Sequence, residues 1–172
     1  DYDLSINGGI DEVVILHLNA ESIKSLDISA GAADIACDGL NTANTLRIRC
    51  GASNLAVNGG KAGKLDFEIG AGNVIFESFS ADIIEGHLGA AAMTYEGSVG
   101  KDVDIEVGTG SLEMSLAGSA DDYYIEAEVG LGSIEVDGKD SGGIGEFSYG
   151  SRTAPNKMEF DCGLGVIEVS FK

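Results

Sequence analysis

One glycine recurs along this chain at nearly constant spacing, and that recurrence restricts the fold more than any other feature. Gly31, Gly51, Gly70, Gly89, Gly108, Gly130 and Gly163 stand 20, 19, 19, 19, 22 and 33 residues apart. The residues five, three and one before each glycine are nearly all apolar. They read Leu26-Ile28-Ala30, Leu46-Ile48-Cys50, Leu65-Phe67-Ile69, Ile84-Gly86-Leu88, Val103-Ile105-Val107, Ile125-Ala127-Val129 and Met158-Phe160-Cys162. Four and six residues after the glycine, apolar residues return: Ile35-Cys37, Leu55-Val57, Val74-Phe76, Met93-Tyr95, Leu112-Met114, Ile134-Val136 and Ile167-Val169. The positions between them are mostly polar or charged.

Alternation with period two marks strands that bury one face. Two strands of about five residues joined by a glycine turn make one rung, and a rung cannot bury its own apolar face, so rungs must stack. Helix is disfavoured by the spacing and by the density of glycine. An antiparallel sandwich also alternates, but it has no need for every second turn to return at 19–20 residues with matching chemistry. The expectation is therefore an all-β fold, a right-handed parallel β-helix (β-solenoid) of about seven rungs of 19–22 residues. Segments such as Gly70-Ala71-Gly72-Asn73 and Gly108-Thr109-Gly110-Ser111 place glycine at the reversals, where positive φ is expected. A phosphate-binding loop would need a helix after the GxG, and strands follow instead. Asn54 and Asn73 take equivalent turn positions, so their amides are expected to form a short ladder.

The chain is expected to be one domain over residues 1–172. Residues 1–24 form a cap or imperfect first rung, 25–136 the regular rungs, 137–157 a glycine- and serine-rich excursion, and 158–172 the final rung. Terminal repeats depart from the pattern because they must shield the end of the core. The excursion gathers Phe147, Tyr149, Arg152 and the single proline, Pro155. It reads either as a loop folded over the flank or end of the stack, or as a binding loop carried by Phe147, Tyr149 and Arg152.

Twenty-six glycines beside one proline argue against disorder and collagen. A formal charge of −19 excludes a nucleic acid held through its phosphates. No window holds 18 consecutive apolar residues, so no membrane span is expected. The chain opens at Asp1 without a signal-like segment, which is expected of a mature or trimmed ectodomain whose signal or upstream anchor has been removed. Cys37, Cys50 and Cys162 form no CxxC pair and fall on inward positions, where cysteine acts as a small hydrophobe.

The outward residues of the first strand carry most of the chemistry. One row reads Asp66, Glu85, Asp104, Glu126, Glu159, and its neighbour Glu68, His87, Glu106, Glu128, Asp161. Strands stacked about 4.8 Å apart would make adjacent carboxylates repel by roughly 1 kcal/mol even in water. Arg47 and Arg49 take the same rows in the second rung, so the face is acidic with a small basic end. Three readings follow. The ridge is a solvated anionic face, or a weak calcium site built from Asp66, Glu68, Glu85, Asp104, Glu106, Glu126 and Glu128, or a glycosidase carboxylate pair. The last conflicts with an open ridge, because an acid catalyst needs an apolar cleft to raise its pKa. His87 is expected to soften charge within its row, and His17 faces away from Leu16 and Leu18 with no evident partner. Two histidines, inward cysteines and no GxSxG leave no nucleophilic triad. No cofactor is expected beyond weak calcium.

The units LDFEIGAGNVIFE, VDIEVGTGSLEMS and YYIEAEVGLGSIEVDG, with the closing MEFDCGLGVIEVSFK, resemble the bacterial adhesin-type family of domains of unknown function with β-strand repeats. The resemblance covers residues 20–172. It implies a parallel β-helix on the bacterial cell surface or envelope, with a surface protein or glycan as partner and no family catalytic residues to carry over. Gly86 at an inward position of the fourth rung and the loose fit of the N-terminal segment depart from the pattern. The function expected is a non-catalytic surface module. A scaffold or sensory ectodomain polymerising end to end, and a β-helix carbohydrate-active enzyme, stand as alternatives.

Overall fold

A computed structural model describes residues 2–17, 23–140 and 143–172, and for residues 2, 4 and 10–17 it describes the backbone alone. The fold is all-β. Among the described residues eight strands run in chain order: β1 (Tyr2–His17), β2 (Ile23–Asn41), β3 (Thr45–Leu116), β4 (Tyr123–Val129), β5 (Ser133–Val136), β6 (Lys139–Asp140), β7 (Gly145–Tyr149) and β8 (Asn156–Phe171). A three-residue 3₁₀ turn, Ala120–Asp122, interrupts them. The strands form one large mixed sheet that does not close on itself, in the order β1-β2-β3-β8-β4-β7.

Successive layers pair in parallel with like positions aligned. Leu26 lies beside Leu46 and Ile28 beside Ile48, while Ile35 meets Leu55 and Cys37 meets Val57. β1 pairs with β2 in the same sense, Leu4 with Leu26 and Val14 with Ile35, with register shifts near Tyr2 and Ile10. Residues 18–22 and the His17 side chain lie outside the described residues. The inward positions identified from Leu26 onward are buried, Gly86 excepted. They make one continuous apolar cluster. A further set of inward residues comes from the stretch between strand pairs, which reads in sequence as connection: Leu40, Thr42, Ala62, Phe79, Ala81 and Val99 are all buried. Most of these residues are small or flanked by glycine, and Phe79 stands between serines, so their alternation is faint in sequence. Thr42 apart, they join the same apolar cluster. Phe79 packs edge-on against Phe76 at 5.3 Å, and Tyr95 lies 5.9 Å from Phe76. The Tyr95 hydroxyl is satisfied in the interior by the Phe79 and Ser98 carbonyl oxygens, at 3.0 and 3.1 Å.

The recurring glycines are required for a reason other than the one their turns suggest. None of the seven has positive φ, although Gly72 and Gly110 beside them do. They form a column in which each approaches the backbone of the layer below. A Cβ on Gly51 would sit 2.6 Å from the Gly31 carbonyl oxygen, one on Gly89 2.6 Å from that of Gly70, and one on Gly108 2.9 Å from that of Gly89. Gly86 has a different cause: a Cβ there would enter the ring of Phe67 in the adjacent layer. The missing side chain thus makes room for an oversized neighbour. The expected Asn54–Asn73 ladder does not form, because Asn54 donates instead to Asp34 at 2.8 Å.

The layers do not follow chain order. β8 lies between β3 and β4, pairing Ile105 with Phe160 on one side and Ala127 with Phe160 on the other. β5 likewise pairs with β8, Ile134 beside Ile167. The final segment is therefore an inner layer, and β4 with β5 lies outside it. The glycine column confirms the order, since Gly163 abuts Gly108 and Gly130 abuts Gly163. Side-chain volume agrees: the small Ala127 lies between Phe160 and Phe147, so the two rings share the space it leaves. The excursion completes the end. β7 runs antiparallel along β4, Phe147 beside Ala127 and Tyr149 beside Ile125, and β6 folds back on β5. These strands occupy an edge that would otherwise offer unpaired main-chain groups.

Candidate functional site: the acidic ridge and its terminal groove

Outward residues of the strands that precede the column glycines form two rows, and the insertion of β8 reorders them. Register places Asp104 beside Glu159 and Glu159 beside Glu126, with Ser148 of β7 beyond. The second row runs Glu106, Asp161, Glu128, Glu146. Neighbours in the sequence-based rows, such as Asp104 and Glu126, are separated by a whole layer.

Cations are threaded through this ridge. Arg47 Nε lies 3.0 Å from Asp66, and Arg49 reaches Asp27 at 3.7 Å and Glu68 at 3.8 Å. Lys64 pairs with Glu85, and His87 Nδ1 lies 3.2 Å from Glu106. Lys157 Nζ bridges Glu126 and Glu159 at 2.9 Å each. These pairs are largely exposed, where solvent and salt screening leave a single pair little net effect on stability. Their effect is to relieve repulsion that the carboxylate rows would otherwise accumulate. Sequence reasoning missed Lys64 and Lys157, yet both stand six residues before a column glycine, which places them beside the first acidic row.

The electrostatics split along the ridge. Partial desolvation, then the charges of Glu159, Glu85 and Asp161, push the Asp104 carboxyl above its ordinary value, with Lys157 partly opposing them. Glu126 moves the other way, held down by hydrogen bonds from Lys157 and then Tyr124. Lys157 is raised correspondingly by its bonds to Glu159 and Glu126.

At the β4–β7–β8 end the ridge deepens into a groove of about 450 Å³ lined by Tyr124, Glu126, Glu128, Glu146, Arg152 and Asp161, among others. Arg152 Nε donates to the Tyr124 hydroxyl at 3.0 Å, which donates to Glu126 Oε1 at 3.0 Å. The guanidinium also lies 5.8 Å from the Tyr124 ring centroid. Arg152 therefore borders the groove. Of its two companions in the expected binding loop, Phe147 packs on the core at the groove wall, while Tyr149 packs on the core with Lys139 Nζ 4.6 Å above its ring. The two aromatics pack on the core, as the reading of the excursion as a loop folded over the flank or end of the stack expects.

The calcium reading of Asp66, Glu68, Glu85, Asp104, Glu106, Glu126 and Glu128 gains no geometry. Among the described residues no group of three or more carboxylate, histidine or cysteine side chains is placed to hold a metal ion. The physical reason is the interleaving: Arg47, Lys64 and Lys157 already pair with Asp66, Glu85 and Glu126, and β8 parts Asp104 and Glu106 from Glu126 and Glu128. Cys37, Cys50 and Cys162 are free and buried, and burial pushes the Cys37 thiol up to about 12, which keeps it protonated and unreactive. Among the described residues no helix is long and apolar enough to cross a membrane. Compared with family models, curated proteins and solved structures, the chain matches none.

Proposed function

We propose that this chain is a right-handed parallel β-helix acting as a non-catalytic binding module of the bacterial cell surface or envelope, with the acidic ridge as its contact surface. The observation that carries the reading is the parallel register, which fixes two rows of outward side chains on a rigid ladder across successive layers. Such a surface presents many weak polar contacts at regular spacing and needs no reactive constellation. Its charge favours a cationic segment of a surface protein, or a neutral glycan, over uronic-acid polymers, which it would repel. The adhesin-type resemblance of the repeat units supports the envelope location and an anchor upstream of this chain.

The capped end bears on the polymerising alternative. β7 and the two-residue β6 replace the long parallel edge of β4 and β5 with short antiparallel strands, a poorer template for end-to-end growth than a full layer. The test is a protein and glycan array read at low and physiological salt. Binding that weakens with salt and is lost in Asp104→Asn/Glu106→Gln/Asp161→Asn supports the proposal. Turnover on a glycoside panel with no array ligand overturns it in favour of an enzyme.

A further inference from the structure

β8 is an inserted strand, and its slot is built entirely from chain that precedes it. One wall is the end of β3, Asp102–Leu116. The other is β4 and β5, residues 123–136. The chain crosses from one wall to the other through Ala117–Asp122, where Ala117 N donates to Gly97 O and Ala120 is buried. Gly118 N donates to Lys172 O, so the crossing segment meets the far end of β8 rather than enclosing it. β8 therefore enters and leaves sideways, without threading a loop. It is joined to β7 only by residues 150–155, which contribute no strand and include Pro155.

The strand is also held by non-local contacts alone. Its partners lie 55 residues away on one side and 33 on the other. Met158, Phe160, Ile167 and Val169 are almost completely buried between the walls. A slot left empty would expose both ladders and the centre of the core, so strong pressure exists to fill it. Any strand with this sequence satisfies it equally, including one supplied by another molecule. Six connector residues reach roughly 20 Å when extended, enough to span several layers. A strand from a second copy would reproduce every β8 contact and change only the connector path, which is the condition for low-cost swapping.

We propose that β8 exchanges between two copies of this chain, giving a dimer in which each molecule completes the other's core. At low concentration the tethered strand wins, because its effective concentration near its own slot is on the order of millimolar. Refolding at high concentration allows a neighbour's strand to enter first, and the product is then trapped by the same burial that holds the monomer together.

Ser115 and Ser170 supply the test, since their hydroxyls lie 3.1 Å apart across the β3–β8 ladder and both side chains are half-buried. Ser115→Cys and Ser170→Cys variants of the 172-residue chain are unfolded together at high concentration, refolded and oxidised. A disulfide-linked heterodimer is expected from the co-refolded mixture, and none from the two proteins mixed after folding separately. Absence of the heterodimer after co-refolding, or equal yield from the folded mixture, overturns the proposal. The double variant Ser115→Cys/Ser170→Cys should cross-link internally at low concentration, and failure to do so overturns the register on which the argument rests. A second measurement needs no substitution. Light scattering of the unaltered chain refolded at high concentration should show a species of twice the 17.6 kDa monomer mass that survives dilution and returns to monomer after unfolding and dilute refolding. Monomer alone at every refolding concentration overturns exchange.

Discussion

Gly89→Ala separates two accounts of the glycine column by the sign of its effect. Gly89 does not have positive φ, so backbone conformation alone would tolerate alanine. On that basis the substitution should stabilise the protein by about 0.4–1 kcal/mol, because alanine restricts the unfolded chain. The structure predicts the reverse. The new Cβ would lie 2.6 Å from the Gly70 carbonyl oxygen, inside the 3.0 Å below which such contacts are essentially never seen, so the layers must part by about 0.4 Å. That oxygen belongs to backbone held in a ladder with strands on both sides and cannot swing away as a side-chain end could. Overpacking of this kind costs about 1–3 kcal/mol, equivalent to a fall in Tm of roughly 2–12 °C for a domain of this size. The assay is thermal and urea unfolding of Gly89→Ala beside the unaltered protein, followed by circular dichroism. A variant with equal or higher Tm refutes the close-approach argument and, with it, the stacking of glycine on glycine.

Three further outcomes test separate parts of the structure. Gly86→Ala should destabilise the protein by about 1–3 kcal/mol by driving a methyl into the Phe67 ring, and should cost less in a Phe67→Ala background. A double-mutant cycle with no coupling would contradict that contact. Tyr95→Phe removes the hydroxyl that satisfies the Phe79 and Ser98 carbonyl oxygens in the interior, and should cost about 1–3 kcal/mol in urea unfolding with the β-sheet spectrum unchanged. Asp104 carries a pH signature. Its folded pKa is raised, so its favourable contribution is complete below the ordinary value of 3.8 and is lost as pH rises through the folded value. Asp104→Asn should therefore raise Tm at pH 7 and flatten the decline in stability just above the ordinary carboxylate range; an unchanged pH profile contradicts the crowding of Asp104 by Glu159, Glu85 and Asp161.

Glu126 contributes with the opposite sign, because Lys157 and Tyr124 hold its carboxyl down and that stabilisation fades as pH falls through the lowered value. The ridge thus contains one carboxylate that acid relieves and, one layer beyond the intervening Glu159, another that acid uncouples from its cation. This difference was illegible in the sequence rows, where Asp104 and Glu126 look equivalent. It comes from Lys157, which β8 carries between them and which bonds to Glu126 directly. The excursion was legible in outline, as one of two readings, but not in its contacts. Phe147, Tyr149 and Arg152 cluster in sequence, but Phe147 and Tyr149 complete the core end and Arg152 clamps Tyr124.

The alternation of apolar and polar residues around the recurring glycines determined which side chains of those strand pairs face inward, from Leu26 to Val169 and Gly86 excepted, because side-chain direction in a strand is a local property with period two; the buried residues between the pairs, Phe79 and Val99 among them, took the structure to find. The spacing of the glycines likewise determined which positions lie above one another, since a carbonyl one layer away leaves no room for a Cβ. Layer order was beyond the sequence's reach. Rungs built on one pattern are interchangeable partners, so local rules allow β8 to stack on β4 from outside or to enter beneath it. The tertiary structure chose the second arrangement, in which Phe160 lies between Ile105 and Ala127, Phe147 closes the end, and Lys157 falls between two carboxylates. Volume and charge complementarity between whole layers decided it, and those are properties of the packed stack that no single repeat contains.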